Sequence, residues 1–124
     1  MVATNAIEGK DLALAVAGYA DEMGAEEITV MDLRGISSIA DYFVVCTGTS
    51  NPHVKAIHRE VSKKLLDEHE QRPRGTDGKL ESQWLVLDFV DVIVHVFHVD
   101  RRGQYALEDL WSDAERVPFE PAGE

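Results

Sequence analysis

Cysteine is nearly absent from this chain. Cys46 is the only one, so there is no internal disulfide and no multi-cysteine zinc site. Positive charge is also short. Lys and Arg total 12 against 23 Asp and Glu, a formal charge of −11. A protein that coats bare nucleic acid needs a basic face to neutralise phosphates, so this composition argues against that class. It favours attraction to Lys/Arg-rich protein surfaces instead. Long apolar runs are missing as well. A membrane span needs about 18 or more apolar residues, and the longest apolar segment, Trp84 to Val99, is broken by Asp88, Asp91 and His95. Residues Met1 to Asn5 show no basic stretch followed by an apolar core. No secretory signal is expected, and a cytoplasmic location is. There is no internal repeat and no low-complexity tract.

What is present fits one domain. The 124 residues are enough to bury roughly two-thirds of the unfolded surface without a disulfide or metal staple. Residues 1–8 are expected to be a flexible start, 9–114 the domain, and 115–124 a flexible tail with two prolines and a glycine. Leu12, Val16, Tyr19, Ala20 and Met23 fall on one helical face, predicting a helix over about 9–23 that stops at Gly24. Ile28 to Leu33 alternates as a strand, and Arg34 to Ser38 reads as a loop. Asp41 to Thr47 is a near-continuous apolar run, the pattern of a strand covered on both faces. Ser50 or Asn51 then caps a second helix with Pro52 in its first turn. Val54, Ile57, Val61 and Leu65 form its buried stripe. Lys55, Arg59 and Lys63 form the one basic stripe, either a contact to RNA or a solvated face with a Glu60–Lys64 pair.

Residues 69–83 read as a long polar connection. Two strands follow, Trp84 to Asp88 and Asp91 to Val99, joined by a two-residue turn at Phe89-Val90. A last helix over 103–114 buries Leu107, Leu110, Trp111 and Ala114. Interleaved helices and strands predict an α/β fold, and the hairpin makes the sheet mixed.

The hairpin is the most informative segment. Its alternation gathers Leu85, Leu87, Val92, Val94 and Val96 on one face as plain core. The other face collects Trp84, Val86, Asp88, Asp91, Ile93, His95 and Phe97. A turn at 89–90 sets Asp88 directly opposite Asp91, where like charges repel unless a cation intervenes or water screens them. Trp84 is either a core side chain or an interface anchor of the kind worth ~2 kcal/mol or more. His95 is either a hydrogen-bonded structural histidine or a ligand or base.

These residues carry a resemblance. Ala40 to Ser50 (ADYFVVCTGTS), followed by His53-Val54 and Ile57, is similar to the first signature of the ribosomal silencing factors, the RsfS or Iojap-like proteins. Trp84 to Asp88, Asp91 to Phe97, then Arg102, Tyr105, Leu107-Glu108 and Leu110-Trp111 match the second. The resemblance covers residues 9–114. It implies a small homodimeric α/β domain that binds the fourteenth protein of the large ribosomal subunit. That site faces the small subunit, so binding blocks subunit joining and represses translation. Organelle relatives are linked to large-subunit assembly, an alternative use of the same surface. Two departures stand out. Family members often carry glycine where Val90 stands, and a Glu-Gly pair before the tryptophan is Asp77-Gly78 here.

Joining both readings, the expected docking face bears Trp84, Asp88, Asp91 and His95 with Tyr105 and Trp111. Lys55, Arg59 and Lys63 are candidates for a minor ribosomal RNA contact. The implied fold is similar to a minimal nucleotidyltransferase core without its catalytic carboxylates. Gly48-Thr49-Ser50 is a place for a phosphate at a helix start. Asp88 and Asp91, however, are not an Asp-x-Asp pair on one strand face, and Ile93 stands where the second acid would be. No enzyme activity, cofactor or metal is expected. Cys46 lies inside an apolar strand, and His95 and His98 face opposite sides.

Overall fold

The computed structural model describes residues 7–79, 83–102 and 114–119. The first helix, α1 (Gly9–Glu22), buries Leu12, Ala13, Val16, Ala17, Tyr19 and Ala20. It ends as expected of a glycine stop. Gly24 takes φ +77°, and the Ala25 N–H donates to the Ala20 carbonyl at 3.0 Å. Next come β1 (Glu26–Asp32), β2 (Tyr42–Gly48) and α2 (Asn51–His69). In α2 the Ser50 hydroxyl accepts from the His53 N–H at 3.2 Å, and Val54, Ile57, Val61 and Leu65 are the buried residues. The remaining elements are β3 (Gly75–Lys79), β4 (Trp84–Asp88), β5 (Val92–His98), the short α3 (Val99–Arg102) and β6 (Glu115–Arg116). The expected helix over 103–114 lies outside the described residues apart from Ala114. Among the described residues no helix is long and apolar enough to cross a membrane.

The described strands form one six-stranded sheet in the order β3-β4-β5-β2-β1-β6. Only the central β2–β5 pair is parallel, and its neighbours on both sides are antiparallel. The sheet is mixed, as the hairpin predicts. All seven residues of β2 are buried, which fits a strand covered on both faces. Tyr42, Val44 and Cys46 share one core with Val92, Val94, Val96, Leu87 and the apolar faces of α1 and α2. Phe43, Val45, Ile93 and Phe97 look the other way with Met31, Leu33, Trp84 and Val86.

The hairpin turn departs from expectation. Asp88 pairs with Ile93, not Asp91, and Val86 pairs with His95. The Phe89 N–H donates to the Val92 carbonyl at 2.9 Å, so the turn residues are Val90 and Asp91. The physical cause is Phe89, which is 6% exposed and joins Leu87 in the helix-side core. Burying that ring extends the ladder by one pair. Every partner shifts by two residues, an even number, so the ladder residues keep their expected faces, whereas Asp91 leaves the ladder for the turn and points its carboxylate at Gly9 of α1 instead of the Trp84 face.

The shift falls on Val90. Its φ is +80°, and the Asp91 N–H donates back to the Phe89 carbonyl at 3.1 Å. A three-residue turn centred on positive φ is strained, and doubly so for a β-branched residue. Val90→Gly is therefore expected to raise stability by roughly 1 kcal/mol, about 4 °C in Tm, read by thermal denaturation.

Two strands are absent from the sequence expectation. Residues 75–79 lie within the predicted connection, yet they pair antiparallel with β4 along its whole length. Residues 115 and 116 pair with Asp32 and Met31 of β1. Both lie at sheet edges and lack the apolar alternation that marks a half-buried strand.

Candidate functional site

Asp88 and Asp91 do not face one another across the ladder, and each already has internal partners. The Arg74 guanidinium donates to Asp88 Oδ2 at 2.6 Å and the Val90 N–H to Oδ1 at 2.8 Å. Burial alone would push the Asp88 carboxyl up; the Arg74 and Val90 hydrogen bonds outweigh it and hold it below the usual carboxylate range. Asp91 reaches across 82 positions of sequence, where its Oδ2 accepts from the Gly9 N–H at 2.6 Å. A carboxylate there satisfies a free amide and complements the positive end of the α1 dipole. The Asp91 carbonyl also accepts from the N–H groups of Asp41 and Tyr42 at 2.9 and 3.0 Å. Asp91 thus ties α1, β2 and the hairpin together.

Trp84 and His95 do come together. The half-buried indole donates its N–H to His95 Nδ1 at 3.1 Å. An indole nitrogen can only donate, so Nδ1 is the acceptor and the neutral ring carries its proton on Nε2. Trp84 stacks on Phe97 with centroids 5.1 Å apart, and Phe43 meets His95 edge-on at 4.6 Å. The imidazole is 7% exposed. Its Nε2 is buried and has no hydrogen-bond partner among the described residues. Burial pulls its pKa down to about 4, so the ring is neutral at physiological pH. His95 therefore supports the Trp84 ring from within. Tyr105 and Trp111 lie outside the described residues.

The basic stripe on α2 is exposed at Lys55, Arg59 and Lys63. Its ion pairs differ from the expected Glu60–Lys64 pair. Lys63 meets Asp67 at 3.2 Å, and Lys64 crosses to Glu22 of α1 at 3.1 Å.

The phosphate reading of Gly48-Thr49-Ser50 meets a closed helix start. The Thr49 N–H donates to His53 Nδ1 at 2.9 Å, and His53 Nε2 donates to the Met23 carbonyl at 2.7 Å. With Ser50 capping, the first-turn donors at Thr49 and His53 are already taken. Among the described residues no three His, Cys, Asp or Glu side chains are grouped to hold a metal ion. Cys46 is fully buried in β2, where a thiol behaves as small core.

One feature escaped sequence reasoning. Where β1 ends and β2 and β5 begin, a groove of about 460 Å³ is lined by Glu8, Gly9, Lys10, Arg34, Asp41, Tyr42 and Asp91. The Arg34 guanidinium lies over the Tyr42 ring at 5.4 Å and pairs with Asp32 at 2.8 Å. Beside it the 33–41 loop exposes Ile36 and Ile39, and the hairpin turn exposes Val90. The only sequence signal was isoleucine inside a stretch of loop residues.

Similarity to known proteins is extensive. The family model described as "Ribosomal silencing factor during starvation" matches residues 6–124. The chain is 43% identical over 105 residues to the ribosomal silencing factor RsfS of Bacillus subtilis, covering 85% of this chain and 88% of that one. It is 36% identical over 95 residues to the Haemophilus influenzae protein of the same name, covering 74% and 89%. It is 33% identical over 113 residues to the chloroplastic protein Iojap of Zea mays, covering 87% of this chain and 47% of the other. A crystal structure from Bacillus halodurans superposes with a TM-score of 0.75 at 33% identity, covering 90% of this chain and all of that one. One from Chromobacterium violaceum superposes with a TM-score of 0.80 at 26% identity, covering 94% and 97%.

Proposed function

Since the chain belongs to the ribosomal silencing factor family, we propose that it represses translation by occupying the large ribosomal subunit where the small subunit must join. Its direct partner in this reading is the fourteenth protein of the large subunit. The observation that carries the reading is the family match over residues 6–124, which includes the whole described sheet. The charge of −11 supports it, since proteins that sit on ribosomal RNA are basic and an acidic domain is attracted to them.

The mechanism is steric. The hairpin side, with Trp84, Asp88 and Asp91 and with Tyr105 and Trp111, docks on the partner. Trp84 supplies apolar contact, and His95 fixes its ring through the indole hydrogen bond. Asp88 keeps one carboxylate oxygen on Arg74 and the other on Val90. It therefore meets a partner cation as part of a shared network. Lys55, Arg59 and Lys63 face neighbouring ribosomal RNA. The bulk of the domain, which acts as a homodimer in the cytoplasm, then fills the space of the other subunit. No bond is made or broken.

Co-sedimentation with isolated large subunits tests the binding half of this reading. The protein is expected to pellet with large subunits and not with small ones, and to release as salt rises, because screening weakens exposed charge contacts. Equal recovery with both subunits contradicts the proposal.

A further inference from the structure

We propose that the sheet end formed by the 33–41 loop and the Val90-Asp91 turn is a docking surface for a basic protein patch, one that sets Lys or Arg among aliphatic side chains. The inference rests on the proposed function for its partner class and extends the docking region from the hairpin's Asp88 and Asp91 to the 33–41 loop.

Exposure is the first observation. Ile39 is 61% exposed, Val90 54% and Ile36 42%, three of the four exposed large apolar residues among those described. The fourth, Val99, follows β5 at the opposite end of that strand. These three sit at one end because β1 runs toward it while β2 and β5 start from it. The Asp41 N–H donates to the Asp91 carbonyl at 2.9 Å and so ties the loop to the turn.

The loop is fixed, not loose. Leu33 is fully buried and Ala40 is 6% exposed, so both ends of the loop are anchored in the core. The Ile36 and Ser37 N–H groups both donate to the Leu33 carbonyl at 3.0 Å, and the Ile39 N–H donates to the Ser37 hydroxyl at 3.0 Å. A backbone held in this way loses little freedom on binding. Val90 adds to the case. An exposed valine at φ +80° carries backbone strain with no core contact to offset it. Strain of that kind concentrates where a surface has a use.

Charge names the occupant. The adjoining groove is lined by three carboxylates, Glu8, Asp41 and Asp91, and two cations, Lys10 and Arg34, a net of −1. Arg34 is already bound to Asp32. A Lys or Arg stem lies along the aliphatic side chains while its head reaches the carboxylates. Nucleic acid brings phosphates to the same place and is repelled.

The test compares the full chain with I36S/I39S/V90G and with Ile39→Ser alone. Each is titrated against isolated large ribosomal subunits and against protein-free large-subunit RNA. Circular dichroism and melting curves are recorded alongside. The triple variant is expected to stay folded and bind subunits at least tenfold more weakly, with Ile39→Ser at least threefold weaker. Binding of both variants within twofold of the natural chain overturns the inference and leaves the proposed function standing. Binding of bare RNA as tightly as subunits also overturns it. Failure of the natural chain to bind subunits removes the proposed function and this surface together.

Discussion

At pH 5 the protein is expected to be about 2 kcal/mol less stable than at pH 7.5 through His95 alone. In the unfolded chain the imidazole takes a proton near its ordinary value of 6.5, whereas in the fold burial holds it neutral down to about 4. Between those values the unfolded state binds more protons, so stability falls as pH falls. The loss is absent above pH 6.5, grows through the window, and levels off below about 4 at roughly 3 kcal/mol. His58, also pulled down chiefly by burial and opposed by the Val86 backbone, adds a loss of the same sign. The lowered carboxyls of Asp32 and Asp88 act elsewhere. Their contribution is present above the ordinary carboxylate value of 3.8 and is lost only below it. Urea denaturation at pH 7.5 and 5 measures the effect. His95→Gln, which does not titrate and still offers the Trp84 indole an acceptor, should remove most of the difference. An unchanged pH dependence in that variant contradicts a buried neutral ring.

Gly48→Ala should destabilise by about 2 kcal/mol, near 8 °C in Tm. The reason is space. An added Cβ at Gly48 would stand 2.8 Å from the Val54 backbone nitrogen, 2.8 Å from its Cγ2 and 3.0 Å from its Cα. A flexible side chain can swing aside, but this neighbour is the first turn of α2. Its Val54 N–H is bonded to the Ser50 carbonyl at 2.9 Å, and its side chain is fully buried. Relief requires α2 to move off the end of β2 and open the core along Val54, Ile57 and Val61. Thermal melting checks it. A loss under 0.5 kcal/mol, small beside ordinary overpacking costs of about 1–3 kcal/mol, means that the helix yields more easily than the contact implies.

The division between what sequence reasoning reached and what it missed has physical causes. Period-3.6 stripes such as Val54, Ile57, Val61 and Leu65 are buried as expected, because burial of one helical face is a local, strongly patterned signal. The faces of Trp84, Val86, His95 and Phe97 were legible from parity alone, even with the turn misplaced by one residue. The turn itself was not legible, because it depends on whether Phe89 enters a core built by helices far along the chain. β3 escaped because Gly75, Thr76, Asp77 and Gly78 carry no alternation, and its place comes wholly from the β4 backbone.

Candidate site residues divide the same way. Trp84 and His95 are brought into contact by register. The partners of Asp91 and Asp88, Gly9 and Arg74, had no local signature. The exposed Ile36 and Ile39 lay in a segment whose composition reads only as loop. Burial periodicity thus exposes the scaffold, while long-range pairing decides which polar groups remain available to a partner.

The most direct measurement is light scattering of ribosomal subunits on mixing. Large subunits incubated with saturating protein should give a markedly smaller rise in scattering on addition of small subunits than untreated ones. Trp84→Ala should restore much of that rise. An undiminished rise with the natural chain saturating the large subunit contradicts occlusion as its mode of action.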